Sequence, residues 1–552
     1  MENCSSFNIL PHTRNLSNDE IDNAILNLNN SIISVLSQHT RRIDLPSKRF
    51  NITTNIKKLL TFKHRWQKQL KTIFHRNLNK KNNEYQTLAA QIKLLNNIIQ
   101  NQLQAHQADL LAQKLSQIKP GPFAFKEIYR FLDRKKNDFC HKIKVDDVLY
   151  YEQVEIAEIF KRHYEKTHQE NNPNSQNNLF INATISRALA PCTSPIYVFS
   201  DAFNAIENNS TRHFTNPKNL EYIIKKLNSK KSFGHDEISN YILKKLPGSY
   251  LPQLCIIFNN CINNGYFPNT WKIAKIIPIK KKKHNHDPTN YRPISLLPNL
   301  GKILEIIIKD KININMDFDF LPDHQFGFKP GHSTLHALLK FRDDVTANLR
   351  AKSCTIAVSL DIEKAFDKAF HKGIIYKLIN LDIDPFLIRL IASFLHNRTF
   401  KVQIGDTLSE IGQMKSGVPQ GSILAPFLYN TLIHDFPHEL NGSKSILYAD
   451  DSLIYAHSKS PRLALNLVNN HLNLVQNYYT KWGIKINTAK SQAICIRNAS
   501  GKCAASVVPE SKIIQLTLNN SNIPFRKNIT YLGVSFNNLL KFNTHARTKL
   551  KK

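Results

Sequence analysis

The chain has 552 residues, 41 % hydrophobic and 21 % charged, a balance that excludes a wholly disordered or fibrous protein and leaves room for about three structural units at roughly 100–200 residues each. Lys and Arg number 75 against 42 Asp and Glu, a formal charge of +33, so the leading partner is a polyanion such as nucleic acid. No apolar leader stands behind a basic one after Met1, apolar runs such as 303–308 are interrupted by charge, and the eight cysteines include no Cys-x-x-Cys pair. Those features argue against secretion, a membrane span, a disulfide framework or a zinc knuckle, and for an intracellular, reducing location.

Residues 57–81 carry nine Lys or Arg and no acid, while Phe62, Trp66, Leu70 and Phe74 recur every fourth position. This spacing predicts a basic amphipathic helix whose aromatic stripe packs and whose charged face meets an RNA or DNA backbone. Leu88, Ile92, Leu95 and Ile99 continue a helical stripe up to Pro120-Gly121-Pro122, which predicts a helical hairpin or bundle. A further amphipathic stretch runs through Val154, Ala157, Phe160 and Tyr164, and residues 169–178 are almost purely polar. The expected organisation is a basic helical region over 1–168, a polar linker over 169–213, one mixed helix-and-strand unit over 214–536 that ends in an apolar strand, 529–536, and a short basic tail over 537–552.

Four segments of that unit carry chemistry. Lys280 to Lys283 precede Tyr291-Arg292-Pro293-Ile294; lysine offers a point charge and arginine a bidentate fork toward phosphate, although a lysine run is by default a solvated face, the reading given to Lys281 and Lys282. The strand-like 355–358 leads into Asp361-Ile362-Glu363-Lys364-Ala365-Phe366-Asp367. The loop Ser416-Gly417-Val418-Pro419-Gln420-Gly421-Ser422 has glycines that let backbone approach a base or sugar, with Gln420 available to bond it; alone, it is equally a helix-entry turn. Finally, Ser445 to Ala456 reads as two apolar runs flanking Asp450-Asp451, a hairpin whose turn presents acids, either ordinary turn residues or, beside Asp361, hard oxygen ligands for two Mg²⁺ ions in phosphoryl transfer.

In this order the segments resemble the reverse transcriptases of non-LTR, LINE-like (jockey-type) retrotransposons, over roughly 214–536. The resemblance also takes in Lys231-Ser232 with Gly234 and Asp236, Gly301-Lys302 with Glu305, Gln325-Phe326-Gly327-Phe328, Gly331 to Thr334, Asn487 with Lys490-Ser491, and Tyr531-Leu532-Gly533-Val534. It implies an α+β right-hand polymerase fold of fingers and palm behind a helical N-terminal region. Asp361, Asp450 and Asp451 fall on the catalytic carboxylates, with the Ile362 carbonyl as a further metal ligand. Lys280 and Arg292 fall on residues that hold triphosphate, Phe366 on the gate that excludes a 2′-hydroxyl, and Lys490 where a basic residue protonates the leaving pyrophosphate.

The implied activity is RNA-directed DNA synthesis, with two Mg²⁺ (or Mn²⁺), dNTPs, an RNA template and a DNA primer or target, in a nuclear or cytoplasmic ribonucleoprotein. The alternatives are a catalytically silent RNA-binding remnant and an intron maturase, which would need a basic region after the palm. Departures are Phe233, His235 and Glu237 where the family has Pro-Gly-Pro-Asp-Gly, and Lys282 for a glycine. No endonuclease pattern precedes the unit and little of a thumb follows it, so target nicking is expected from a separate endonuclease. If the 57–81 helix tracks phosphates, neutralising Lys68, Lys71, Arg76 and Lys80 will weaken RNA binding and flatten its log–log salt dependence by about 0.7–0.9 for each phosphate that is no longer paired. Filter-binding titrations at several salt concentrations check this, and equal slopes for variant and parent would leave the helix a solvated face.

Overall fold

The computed structural model describes residues 15–39, 54–77, 83–115, 142–169, 175–189, 215–281, 286–315, 321–497, 515–518 and 520–550. They fall into two compact units, 37–138 and the remainder. In the smaller unit, α2 (Thr54–Asn77) pairs with α3 (Asn83–Leu115), as the stripes predict; Lys80 lies outside the described residues. Burial is carried by Ile56, Ile92, Leu95 and Ile99, while Phe62 stays exposed and Trp66 half-buried. Two helices share one seam, and aromatics that stray from it face water.

The larger unit begins earlier than the expected boundary at 214. Helix α1 (Asn18–His39) contributes Ile21, Ile25, Leu28 and Ile32 to the main core, and Asp22 accepts a 2.6 Å hydrogen bond from Tyr266 Oη. A small hairpin, β1 (Ile143–Val145) and β2 (Val148–Tyr150), leads into α4 (Gln153–Thr167). Ile156, Ala157, Phe160 and Tyr164 of α4 are buried, whereas Val154, in its first turn, is exposed. The stretch expected to be a polar linker contains α5 (Ser175–Leu189), whose Ile181 enters the main core: three or four apolar residues at helical spacing suffice to dock an otherwise polar helix.

Two sheets follow. In the first, β3 (Ile273–Lys280) runs antiparallel to β4 (Tyr291–Leu296) and parallel to β6 (Arg398–Ile404), with β7 (Thr407–Leu408) and β8 (Gly412–Met414) along β6. Ala274, Ile276, Tyr291, Phe400 and Val402 of this sheet close one core with the α4 residues. That is why residues 143–169 belong with this sheet and not with the basic helices before them.

The second sheet has the order β12-β5-β11-β10-β9, with β5 (Cys354–Leu360), β9 (Glu439–Leu440), β10 (Ser443–Tyr448), β11 (Asp451–Ser458) and β12 (Gln492–Ile496), all antiparallel. Strand alternation sends Ile356, Val358 and Leu360 into the main core with Val468, Leu472 and Val475 of the helix Pro461–Lys481, and Ala357 into a second core with Phe341 and Val345 of the helix Thr334–Arg350. The sheet is thus covered on both faces. Near the C-terminus the apolar run 529–536, expected as one strand, is a hairpin, Asn528–Tyr531 on Val534–Asn537, because Leu532 and Gly533 both take left-handed φ, 47° and 78°, the twist a two-residue turn needs. Among the described residues no helix is long and apolar enough to cross a membrane.

Phe160 has no exposed surface and sits 5.7 Å from the Tyr164 ring and 5.0 Å, edge-on, from Tyr291. Phe160→Ala is expected to cost about 3–5 kcal/mol in urea unfolding of the full chain; a loss under about 1 kcal/mol would show that α4 is not part of this core.

Candidate active site

The pairing of β11 on β5 sets Ser452 against Leu360, and that of β10 on β11 sets Tyr448 against Asp451. Asp361, one residue beyond β5, therefore stands at the same sheet end as Asp450 and Asp451, as the hairpin reading predicts. The turn is tight: Ala449 takes φ 57°, unusual for a residue with a side chain. Gln325 holds it, its Oε1 accepting from Ala449 N at 3.0 Å and from Gly327 N at 2.8 Å.

Charge at this end is frustrated. Burial, then the neighbouring Asp450 and Asp361, push the Asp451 carboxyl up to about 6. Burial and Asp361 raise Asp450, with Arg292 opposing. Lys490 Nζ lies 3.3 Å from Asp361 Oδ2, held by a turn in which Lys490 N donates to the Asn487 carbonyl at 3.2 Å and Asn487 N donates to the Asp361 carbonyl at 2.7 Å. The bridge between Ile362 and Ile486 uses the Asp361 carbonyl and the Glu363 N–H, so it leaves the Ile362 carbonyl outside its pairing. Among the described residues, no three His, Cys, Asp or Glu side chains converge into a ready-made cation cage; like charges favour such a spread.

The basic residues divide by strand parity. Arg292 pairs with Ile279, and Lys280 with Tyr291. Tyr291 is buried in the α4 core, and Lys280 acts on His286 beside Lys142. Lys281, expected to be a solvated charge, is exposed, its Nζ donating to the Thr289 carbonyl at 3.0 Å; partial burial lowers its ammonium, and the nearby Arg292, Lys490 and Lys364 push the same way. Arg292 and Lys490 thus act on the acids, Lys281 stands near both of them, and Lys280 lies on the other side of the strand. Lys282 lies outside the described residues.

Phe366 is fixed by Tyr429, stacked at 4.8 Å and 21°, and by Phe328, edge-on at 6.0 Å. The 416–422 loop closes over it: Val418 N donates to the Phe366 carbonyl at 2.7 Å and Gly417 N to the Ala369 carbonyl at 2.8 Å. The two glycines approach protein backbone rather than open space. A Cβ on Gly417 would lie 2.3 Å from the Asp367 carbonyl oxygen, and one on Gly421 2.5 Å from that of Ser295. Gln420 is likewise engaged, its Nε2 donating to Asp367 Oδ1 at 2.8 Å and its carbonyl accepting from Ser295 N at 2.8 Å.

Three further residues matter that local pattern leaves without a role. Glu305, buried, accepts from Ser422 Oγ at 2.5 Å and from Ile423 N and Leu424 N at 2.6 and 3.1 Å, capping the helix Ala425–Leu432 that carries Tyr429. Gln325 props the acidic turn. His168, fully enclosed, touches both the Asp367 and Ser416 carbonyls. Only distance along the chain hides such contacts; nothing in the local pattern announces them.

Residues 279–536 match the family model described as reverse transcriptase (RNA-dependent DNA polymerase). The chain is 34 % identical over 338 residues to the RNA-directed DNA polymerase from mobile element jockey of Drosophila melanogaster, covering 59 % of this chain and 35 % of that protein. It is 31 % identical over 348 residues to the probable RNA-directed DNA polymerase from transposon X-element of the same species, 61 % and 37 % of the two chains. With the Pol polyprotein from the type-1 retrotransposable element R1 of Bradysia coprophila it shares 25 % identity over 327 residues, 58 % and 31 %. The chain spans about a third of the length of these relatives. Residues 279–536 are therefore similar to the reverse transcriptase family, and the relatives that match include polymerases of mobile elements.

Proposed function

We propose that the chain is the RNA-directed DNA polymerase of a non-LTR mobile element, extending a DNA 3′-end on an RNA template with dNTPs. The observation that carries this reading is the placing of Asp361 beside Asp450-Asp451 at one end of a sheet buried on both faces. In it the β5 sheet serves as palm and the β3 sheet as fingers. The donor set, three carboxylates and the Ile362 carbonyl, is the hard oxygen set that Mg²⁺ takes, and its mutual repulsion is relieved by a divalent cation. Asp361, Asp450, Asp451 and the Ile362 carbonyl would hold two Mg²⁺, which would supply Lewis-acid activation of a primer 3′-hydroxyl and charge neutralisation on pyrophosphate.

The chain's own residues supply the rest. Arg292 and Lys281 attract and orient the triphosphate, a role the resemblance alone gives to Lys280 with Arg292. The Phe366 ring, held by Tyr429 and Phe328, occupies the space a 2′-hydroxyl would need. Lys490, whose Nζ lies 3.3 Å from Asp361 Oδ2, is placed to donate a proton from Nζ to the departing pyrophosphate. A ribonucleoprotein setting completes the reading.

Primer extension on poly(rA)/oligo(dT) tests it. Asp361→Asn and Asp450→Asn are each expected to abolish incorporation while leaving RNA binding nearly intact, since the interactions removed belong to the transition state; parental turnover in either variant would end the assignment.

A second test needs no turnover. Because the Asp451 carboxyl titrates near 6 in the folded chain and near its ordinary lower value when unfolded, the folded state binds more protons between those values. The stability contributed by this carboxyl therefore falls as pH rises through about 4 to 6, and is read as the difference between the parent and Asp451→Asn. Above that window the ionised carboxylates should bind Mg²⁺, so that Mg²⁺ raises the melting temperature at pH 7.5 and much less at pH 5. Asp451→Asn should raise the metal-free melting temperature at pH 7.5 and shrink the Mg²⁺ response. An equal Mg²⁺ response at both pH values would overturn this.

A further inference from the structure

The segment 167–169, which precedes the matched domain, is bonded to both walls of the nucleotide pocket. The imidazole of His168 is buried at 2 % exposure. Its Nδ1 lies 2.9 Å from the Asp367 carbonyl and 3.1 Å from the Ser416 carbonyl. Both partners only accept, so Nδ1 carries the hydrogen and shares it between them. Burial lowers its basicity, and Nε2 meets no hydrogen-bond partner.

The surrounding bonds make the same connection. The His168 carbonyl accepts from Lys415 N at 3.0 Å and Ser416 N at 2.9 Å. Ser416 Oγ donates to the Gln169 carbonyl at 3.0 Å, and Lys364 Nζ to Thr167 Oγ1 at 2.9 Å. One ring thus joins the residue after Phe366 to the residue before Gly417. The 416–422 loop in turn reaches the Phe366 carbonyl through Val418 and Asp367 Oδ1 through Gln420.

We propose that His168 is a specificity-determining positioning residue: by donating one shared hydrogen to the Asp367 and Ser416 carbonyls it locks the 361–367 loop to the 416–422 loop and so fixes where the Phe366 ring stands against the sugar of the incoming nucleotide. The proposal rests on the polymerase reading above. It takes the discrimination between deoxyribose and ribose out of the matched domain alone and makes it depend on a segment more than a hundred residues upstream of it. Two carbonyl oxygens facing each other without a shared donor repel, so loss of the hydrogen would let the loops part.

The test uses the full chain on poly(rA)/oligo(dT) with dTTP and UTP, steady-state kcat and KM being measured for each. Asn places its amide nitrogen near the position of Nδ1, whereas Gln reaches toward that of Nε2. His168→Asn should keep the parental dTTP-to-UTP ratio of kcat/KM within about threefold. His168→Gln and His168→Ala should lower that ratio about tenfold or more, chiefly by lowering KM for UTP, as is expected of Phe366→Val in the same assay, where the ring itself is removed. Melting temperatures are read alongside. Gln and Ala variants that melt early but keep the parental ratio would overturn the proposal, leaving His168 a packing residue; so would failure of both the Asn and Gln variants to fold. A parental chain that incorporates no nucleotide would instead overturn the polymerase reading on which the proposal stands, whereas a working parent with an unmoved ratio refutes the proposal alone.

Discussion

Three carboxylates brought to one place repel one another, and the larger unit must supply the free energy to hold them there. It does so with strand pairing. β5 is the strand between two partners, with seven paired positions on β11 and five on β12, and its side chains divide between two cores. Burial of apolar surface on both faces, at about 25 cal/mol per Å², fixes the register. A slip of one residue would turn Ile356 and Val358 out of one core and Ala357 out of the other. With register fixed, Asp361 has no freedom to move away from Asp450 and Asp451. The left-handed Ala449 and its Gln325 prop show the same constraint at the turn, where a local backbone cost is accepted to aim two acids the same way.

The loop 416–422 responds to that constraint from the opposite side. Its glycines admit the backbones of Asp367 and Ser295, its Ser422 hydroxyl and following N–H groups are taken by Glu305, and its leading residues are bonded to His168. Glu305 is a buried carboxylate whose hydrogen bonds to the start of a helix offset its burial, and Arg398, also buried, acts on it from the β6 strand. A loop tied at four points is a scaffold for the Phe366 ring rather than a flexible clamp. Ring position is then set by packing, with Tyr429 beneath it on the very helix that Glu305 caps.

How much of this was legible in the sequence depended on whether the signal was local. The acidic hairpin and the strand ahead of Asp361 were, because alternating apolar runs around adjacent acids fix both pairing and the sheet end. The sides taken by Lys280 and Lys281 were not: in a run of four lysines no residue differs from its neighbour, and only the pairing of Lys280 with Tyr291 decides which lies on the Arg292 side of the strand. The apolar run 529–536 read as one strand because Leu532 is as apolar as its neighbours; its left-handed φ, which makes the turn, leaves no compositional mark. The polar stretch at 169–178 masked the start of a helix whose anchor, Ile181, lies just past it.

His168 is the extreme case. Its ring partners lie 199 and 248 positions away, so neither spacing nor periodicity could connect them, and a lone histidine ending a helix reads as a cap. Yet the amphipathic helix before it was legible, and that helix explains the contact. Phe160 and Tyr164 anchor α4 on the β3 sheet, which delivers the end of the helix to the gap between β8 and the Asp367 loop. A residue entering such a gap with a single donor meets two backbone carbonyls that no strand or helix satisfies. A buried carbonyl left unpaired costs about 1–3 kcal/mol, so a short donor on a rigid anchor fits where a longer, more mobile side chain would lose entropy on ordering. The segment ahead of the matched domain is in this sense part of the site it precedes: its packing is with the β3 sheet, but its hydrogen bonds are with the two loops on either side of the Phe366 ring.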